Sequence, residues 1–225
     1  MSKIIKPNSY SYSRRGFFAK SLIGCASLYA TPSLFAELLT QTPSQAEGPF
    51  FPNNLPLDTD NDLLILNDSI TPAIGEVTHL SGKITDIKGN PLRNALIEIW
   101  QVDATGSYIH TGSSGHDKRD KNFQGYGKFL TGMKGEYYFR TIKPVNYPGR
   151  TPHIHVKVSH KNKEILTTQL YVQGEALNKN DFLLNRAGKN RDALITSFKP
   201  LKGSKTGELQ AEFNIIIGIT PKDKH

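Results

Sequence analysis

The sequence predicts a mainly β fold, a single-domain β-sandwich preceded by an extended N-terminal arm. Short runs of β-branched and aromatic residues recur along the chain, and Gly, Pro, Asn or Asp bound each of them. Only one stretch, about 181–198, has a weak helical pattern. Strands at such spacing are typical of sandwiches, and 225 residues are enough to bury a core in one domain.

Residues 1–36 have the pattern of an export leader. Arg14 and Arg15 form a twin-arginine pair, and a weakly apolar stretch with small residues follows at 21–36. That stretch is too short for a membrane-spanning helix, so we predict an exported, periplasmic protein without a transmembrane span. An amphipathic N-terminal helix is the alternative. A lipid anchor on Cys25 is a weaker prediction, because Lys20 lies close to that lipobox-like segment.

The net charge of +8 comes mainly from this leader. Residues 1–36 contain five of the 28 Lys and Arg residues and none of the 20 acidic ones, so the rest of the chain has a net charge of only +3. We therefore predict no nucleic-acid partner. Cys25 is the single cysteine, which excludes an intrachain disulfide and a zinc site built from thiolates.

Three regions follow from these patterns: a leader at 1–36, an arm at 37–76 and a sandwich domain at 77–225. The arm is rich in Pro, Asn and Asp and has little periodicity. Six strands are predicted in the sandwich domain, at 77–85, 95–102, 136–141, 153–159, 165–172 and 211–218. The turn-forming segment DIKGNP at 86–91 is expected to join the first two strands in a hairpin.

The candidate chemistry centres on His153 and His155. They follow Pro152 on a predicted strand, and side chains two apart on a strand share a face, so the pair suits two metal ligands. The alternative is one buried and one exposed histidine without a metal. Tyr147 lies six residues before His153 in a loop rich in Pro and Gly, and Tyr108 follows the second predicted strand.

Two tyrosines and two histidines would together suit a trivalent cation. A phenol has a pKa of about 10 in water, but a bound trivalent ion strongly favours the phenolate. Two phenolates and two neutral imidazoles would offset much of the charge of iron(III). Each tyrosine taken alone is better explained as a packing residue, so only the combination is informative.

These residues belong to a longer series of motifs. The series comprises TPSQAEGPF at 42–50, GNP at 89–91, IWQ at 99–101, GSY at 106–108, GEYYFRT at 135–141, YPGRTPHIH at 147–155 and TQLY at 168–171. It resembles the intradiol ring-cleavage dioxygenases, the family of protocatechuate 3,4-dioxygenase and catechol 1,2-dioxygenase. The short arm is more similar to protocatechuate-type subunits.

The resemblance implies a site and a reaction. Its metal would be non-haem iron(III), and its ligands would be Tyr108, Tyr147, His153 and His155. Tyr147 would leave the metal when substrate binds and accept a proton, Arg150 would lie beside the reacting ring, and Gln169 would lie in the pocket. The substrates would be O2 and a catechol, with a protocatechuate-like ring among the candidates, and the product a cis,cis-muconate. A homo-oligomer or a partner subunit is also implied.

Other interpretations stay open from the sequence. A non-catalytic β-sandwich binding module needs no tyrosine pair, and neither does a hydrolase or cupin-like enzyme that joins the histidines to a carboxylate. Asp103 and Glu98 lie near the motifs, but a carboxylate ligand would imply a different iron(II) chemistry. The remaining histidines match no motif. We expect His160 to be exposed, and the loop histidines His110 and His116 to be solvated.

Overall fold

The computed structural model describes residues 38–66 and 71–218. The predictions for the leader, including the twin arginines and Cys25, therefore lie outside the described residues. All described residues fall in one compact unit, Leu38–His225. No helix in this part of the chain is long and apolar enough to cross a membrane.

Two five-stranded sheets pack as a sandwich, which confirms the predicted mainly β fold. The strands are β1 (Val77–Asp86), β2 (Ala95–Trp100), β3 (Tyr126–Leu130), β4 (Glu136–Ile142), β5 (His153–His160), β6 (Lys163–Val172), β7 (Ile195–Thr196), β8 (Lys199–Pro200), β9 (Leu209–Glu212) and β10 (Ile215–Ile217). In the first sheet, β1 pairs with β4, β9 and β10, and β8 pairs with β9. The second sheet has the order β3-β2-β5-β6-β7.

Alternation along β5 divides its residues between the core and the outer face of the second sheet. Ile154, Val156 and Val158 are buried in the main core cluster, together with residues of β1 and β4. Burial of each such side chain contributes about 1.5–3 kcal/mol. His153 and His155 alternate with these residues and therefore lie on the opposite face. The pattern that fills the core thus also sets the direction of the histidine pair.

The predicted hairpin forms only as a short antiparallel bridge between Thr85 and Pro91, and the expected pairing of the first two strands is wrong. A turn does form, because the N–H of Gly89 donates to the carbonyl of Asp86, and the Asp86 side chain accepts from the N–H groups of Lys88 and Asn90. However, β2 pairs with β3 and β5 in the other sheet. The pairing capacity of β1 is already used by β4 and by β9 and β10, so the turn connects the two sheets.

Several boundaries also differ from the prediction. The helical stretch is a short helix, α1 (Phe182–Arg186), followed by a 3-10 helix at Gly188–Leu194. Gly188 has a φ of +58°, a left-handed conformation that ends an α-helix. The predicted strand at 211–218 is divided into β9 and β10, while β3, β7 and β8 were not predicted. His160, expected to be exposed, is buried because it lies in register with buried Ala95 on the inner face.

The arm hydrogen-bonds to both sheets. The N–H of Thr42 donates to the carbonyl of Ile216, next to β1 in the first sheet, and the N–H of Gln45 donates to the carbonyl of Thr167 in β6. The Thr168 hydroxyl donates to the carbonyl of Pro43. These bonds cover backbone groups at the β6 edge that would otherwise be open to another chain. They also hold the next arm residues over the outer face of the second sheet.

Candidate metal centre

Strand register assembles the site on the outer face of the second sheet. Trp100, His155 and Gln169 lie directly opposite one another on β2, β5 and β6, and the neighbouring row pairs His153 with Tyr171. Residues opposite each other on antiparallel strands point to the same side. Gln169, predicted as a pocket residue, is therefore placed beside the histidine pair by the same register that builds the sheet.

The two histidines present their Nε2 atoms to each other. These atoms are 3.2 Å apart, and both side chains are buried. His153 Nδ1 lies 2.6 Å from the carbonyl oxygen of Thr151. Because a carbonyl only accepts, Nδ1 carries the proton and the Nε2 lone pair is available to a cation. The His155 ring stacks on Trp100 with ring centroids 4.8 Å apart, which fixes its orientation.

A tight loop after β2 positions Tyr108. The Asp103 carboxylate accepts hydrogen bonds from the N–H groups of Thr105 and Ser107, and Gly106 turns the chain with a φ of +82°. The loop brings the Tyr108 hydroxyl to 2.9 Å from His155 Nε2 and 3.4 Å from His153 Nε2. Asp103 therefore builds the loop that holds the phenol.

Tyr147 stands beside this group at the edge of the site. Its ring centroid is 5.4 Å from that of Tyr108 and 5.6 Å from that of His153. The loop is closed by a hydrogen bond from the N–H of Arg150 to the carbonyl of Tyr147. Tyr147 is half-buried, whereas the other three predicted ligands are buried. The structure thus brings all four predicted ligands together, with Tyr147 the one nearest solvent.

Burial favours the neutral forms of three of the four donors, the two histidines and Tyr108. It lowers the pKa of His153 to about 3, with the charge of Arg150 adding to the effect. Burial, then the neighbouring His153 and Arg150, also lowers the pKa of His155 well below its usual value. Burial, reinforced by the Tyr147 phenol, raises the pKa of Tyr108 well above its usual value. Neutral imidazoles are ready to coordinate, and a cation is needed to ionise the phenol.

The donor set fits a cation. Donor atoms that share one first-row metal ion at about 2.1 Å stand roughly 3 Å or a little more apart. The three contacts among Tyr108 Oη and the two Nε2 atoms measure 2.9, 3.2 and 3.4 Å. Within residues 38–66 and 71–218, no group of three or more His, Cys, Asp or Glu side chains is placed to hold a metal. The Glu98 carboxylate instead accepts a hydrogen bond from the Tyr126 hydroxyl.

Arg150 is fixed by a buried hydrogen-bond network. Its Nε donates to Asp181 Oδ2 at 2.8 Å, and its Nη2 donates to Gln169 Oε1 at 2.7 Å. The Gln169 amide group also donates to the carbonyl of Ala46 in the arm. The Tyr171 hydroxyl donates toward Gln45 Oε1, also in the arm, at 2.8 Å. Among the described residues, the hydrogen bonds of Arg150 come from Nε and Nη2, which leaves Nη1 without a partner there.

A cleft opens next to this network. Its volume is about 370 Å³, and it is lined by the loop 146–151, which includes Tyr147 and Arg150, and by Leu177, Asn180 and Asp181. That volume is within the usual range for a small-molecule site. The sequence did not single out Asp181 as a site residue. Its position at the start of the predicted helical stretch was a sequence signal for a helix cap. In the structure its side chain accepts a hydrogen bond from the N–H of Leu184 and caps α1.

The other histidines are engaged elsewhere. His79 contacts Tyr138 and Glu208 on the first sheet. In the loop before β3, the Gly112 N–H donates to His110 Nδ1, and Arg119 Nη1 lies 3.3 Å from His116 Nε2. His110 and His116 are both partly exposed, as expected from their loop.

Known proteins share this sequence and this fold. A family described as Dioxygenase matches residues 46–218, most of the chain. The chain belongs to the intradiol ring-cleavage dioxygenase family. This confirms the resemblance that the motifs indicated.

Two curated relatives in this family illustrate the range of similarity. The protocatechuate 3,4-dioxygenase beta chain of Burkholderia cepacia is 34% identical over 153 residues, covering 64% of this chain and 65% of the relative. The catechol 1,2-dioxygenase of Candida albicans is 29% identical over 181 residues, covering 72% and 57%. This chain thus spans between about half and two thirds of the length of the curated relatives it matches.

Solved structures extend the comparison. The dioxygenase domain of a dioxygenase–carbohydrate-binding protein fusion from Streptomyces sp. SirexAA-E superposes with a TM-score of 0.62 at 31% identity, covering 80% of this chain and all of that one. An intradiol ring-cleavage dioxygenase from Tetranychus urticae gives a TM-score of 0.63 at 21% identity, covering 80% and 95%. At that identity the second likeness supports the fold alone.

Proposed function

We propose that this protein is an intradiol dioxygenase that holds non-haem iron(III) and uses O2 to open a catechol-type ring to a cis,cis-muconate. Family membership supports the reaction class. The observation that carries the proposal for this chain is the convergence of Tyr108, His153 and His155 with Tyr147 beside them. A non-catalytic binding module has no need of three buried donors with a fourth beside them at the cleft.

Iron(III) suits this donor set. Hard phenolate oxygens and imidazole nitrogens both coordinate it well, and the phenolates offset its charge. When bound, the ion supplies the Lewis acidity that favours the catecholate form of the substrate and prepares it for O2. The protein's part is to hold the His153 Nε2 lone pair in place, through the hydrogen bond from Nδ1 to Thr151, and to exclude water by burying both histidines.

Tyr147 is assigned as the base. It lines the cleft, is the most exposed of the four donors, and lies on a loop shaped by Gly149. Its phenolate oxygen would take a proton from one substrate hydroxyl as substrate binds. Tyr108, which is buried against both histidines, would stay in place. This division of roles follows from the different exposure of two chemically identical side chains.

Arg150 is assigned to stabilise negative charge on the substrate. It lines the same cleft, and a guanidinium held in one orientation is effective where charge develops. Gln169 was predicted as a pocket residue, but it is fully buried and both ends of its amide are engaged, with Arg150 and Ala46. We therefore propose that Gln169 positions Arg150. Both oxygen atoms of O2 enter the product, so no external reductant is required.

The test is a visible absorption spectrum of the iron-loaded protein, before and after anaerobic addition of catechol. We expect a wine-red phenolate-to-iron(III) band that shifts when catechol binds. A protein that stays colourless after reconstitution with iron would remove the dioxygenase proposal and favour the binding module.

Light scattering on the same sample would test the accompanying proposal of a homo-oligomer or partner subunit, since a monomeric, fully active chain would contradict it.

Export through the twin-arginine route is a separate proposal that rests on Arg14 and Arg15. That route carries folded proteins, which suits a protein that acquires its metal before export. Replacing both residues with lysine should leave the protein in the cytoplasmic fraction while preserving charge. Unchanged periplasmic recovery of the double variant would contradict the proposal.

A further inference from the structure

The wall of the cleft has no net charge. Besides Tyr147, its ionisable side chains are Arg150 and Asp181, which form an ion pair with 2.8 Å between Nε and Oδ2. The side chains are 10% and 0% exposed, respectively. Burial alone would raise the pKa of Asp181, but hydrogen bonds from Arg150 and from the N–H of Leu184 hold that pKa below its usual range. Asp181 is therefore ionised at neutral pH and offsets the charge of Arg150.

The rest of the wall is neutral. Asn146 and Asn180 contribute amides, and Pro148 and Leu177 contribute exposed apolar side chains. Beyond the lining, the Phe182 ring is 59% exposed and lies 5.8 Å from the guanidinium carbon of Arg150. No second Lys, Arg or His belongs to the described lining of this cleft.

We propose that the cleft selects catechols whose ring substituents are uncharged, such as hydrogen or a small alkyl group, over catechols that carry a carboxylate. This inference rests on the proposed function and specifies its substrate class. A carboxylate that enters the cleft loses hydration, which is costly without a paired cation. Arg150, the one cation of the described wall, is paired with Asp181 through Nε, and its proposed role at the reacting ring leaves no second cation for a carboxylate on a ring substituent. The carboxylate of Asp181 would repel such a second anion. An alkyl group gains from contact with Leu177 and Pro148.

The experiment compares two substrates that differ in a single group. The iron-loaded full chain is assayed with 4-methylcatechol and with 3,4-dihydroxybenzoate. We expect kcat/KM to be roughly tenfold or more higher for 4-methylcatechol, the ratio that an unpaired anion in a partly open site would produce. If 3,4-dihydroxybenzoate gives an equal or higher kcat/KM, the inference is overturned and the dioxygenase proposal stays intact.

A charge variant tests whether this wall is the cause. Leu177→Lys places a cation in the lining at a residue that is 43% exposed, so folding should be unaffected. The variant should shift the preference between the two substrates toward 3,4-dihydroxybenzoate by about tenfold, measured as the ratio of their kcat/KM values. Gln210→Lys, on an exposed position of β9 in the other sheet, adds the same charge as the matched control. No change in Leu177→Lys, or equal changes in both variants, would contradict the assignment.

A binding measurement separates this inference from the proposed function. 4-Methylphenol and 4-hydroxybenzoate have one hydroxyl group and are not substrates for cleavage between two hydroxyl-bearing carbons. Calorimetry should give a lower Kd for 4-methylphenol. If neither catechol is opened, the proposed function fails and this comparison alone decides the inference, which equal or tighter binding of 4-hydroxybenzoate would overturn.

Discussion

A single carbonyl group determines which ring nitrogen of His153 stays unprotonated. Thr151 lies just before β5, and its carbonyl oxygen accepts from His153 Nδ1. The other ring nitrogen then faces His155 and the Tyr108 hydroxyl. A neighbour two residues away thus sets the tautomer that a metal ligand requires. At this scale, function depends on which atom of a side chain is engaged, as well as on which residue is present.

Tyr108→Phe should remove one donor with little effect on the fold. The hydroxyl contacts both histidines, so we expect bound iron to fall several-fold and the visible band to weaken, because one phenolate is lost. Tyr126→Phe is the matched control. This buried tyrosine belongs to the same aromatic cluster, but its hydroxyl donates a hydrogen bond to Glu98 instead of contacting the histidines. Metal analysis and absorption spectra provide the readout. Normal iron content in Tyr108→Phe would exclude this tyrosine as a ligand.

Asp181→Asn should remove the ion pair that holds the Arg150 guanidinium in one orientation, while leaving the four proposed metal donors in place. Breaking one side of a buried ion pair costs about 3–5 kcal/mol, so chemical denaturation should show a loss of that order. We expect kcat to fall more than KM rises, with iron retained, because the orientation of the guanidinium is lost. Asp192→Asn, an exposed carboxylate in the following 3-10 helix, is the control.

A double-variant cycle tests the same assignment. If Asp181 acts through Arg150, the effects of Asp181→Asn and Arg150→Ala on kcat should not add. Additive effects would mean that Asp181 serves only to cap α1. Loss of iron in Arg150→Ala would show that the arginine has a structural role.

Among the elements, the arm contributes most to the site besides the strands. Phe50 stacks on Tyr108 with ring centroids 5.1 Å apart, and Phe51 packs edge-on against Trp100. Gln45 accepts from the Tyr171 hydroxyl and donates to the carbonyl of Leu183. The described part of the arm, at 38–66, thus covers the four donor residues without forming a helix or strand, and it connects them to α1.

The first sheet depends on a close approach between β1 and the bend between β9 and β10. A Cβ atom on Gly82 would lie 2.0 Å from the carbonyl oxygen of Phe213, and this backbone atom has little freedom to move. Gly82→Ala should therefore destabilise the protein by about 3 kcal/mol or more, measured by chemical denaturation.

Gly89→Ala separates this clash from a purely conformational cost. Gly89 has a φ of +83° and nothing within 4 Å of an added Cβ, so alanine there should cost only about 1–2 kcal/mol. A larger loss at Gly89 than at Gly82 would mean that the close approach does not limit stability.

For the whole molecule, the buried histidines link stability to pH. An unfolded histidine has a pKa of about 6.5, whereas burial lowers the pKa of His153 to about 3 and holds that of His155 well below its usual value. Between these values the unfolded state binds protons that the native state does not, so stability falls as pH falls. Above about pH 6.5 the contribution of these two groups is constant.

We expect the metal-free protein to lose up to about 1.4 kcal/mol per pH unit for each histidine between about pH 6.5 and about pH 4.5. Denaturation midpoints at several pH values measure this slope. A variant that carries both His153→Asn and His155→Asn should lose most of it. His110→Asn, at a partly exposed position, should retain it. An unchanged slope in the double variant would show that other groups dominate acid unfolding.

The sequence predicted more of the site than of the connections between strands. The H-x-H pair could be recognised because alternation along β5 is a local property that two residues of sequence already define. The pairing of β1 with β2 across the turn at 86–91 was predicted wrongly for the opposite reason. The turn residues specify a change of direction, but whether β2 returns beside β1 depends on β4, β9 and β10, which compete for pairing with β1.

By itself, the sequence determined the fold class, the four candidate ligands and the family, because strand periodicity, turn residues and a spaced motif are all readable along the chain. The tertiary structure alone decided which groups meet across long separations. It paired Arg150 with Asp181, set Gln169 opposite His155, buried Tyr108 while leaving Tyr147 at the cleft, and gave the cleft a wall without net charge. Such contacts depend on strand register and loop packing, which are properties of the whole fold and are encoded in no single segment.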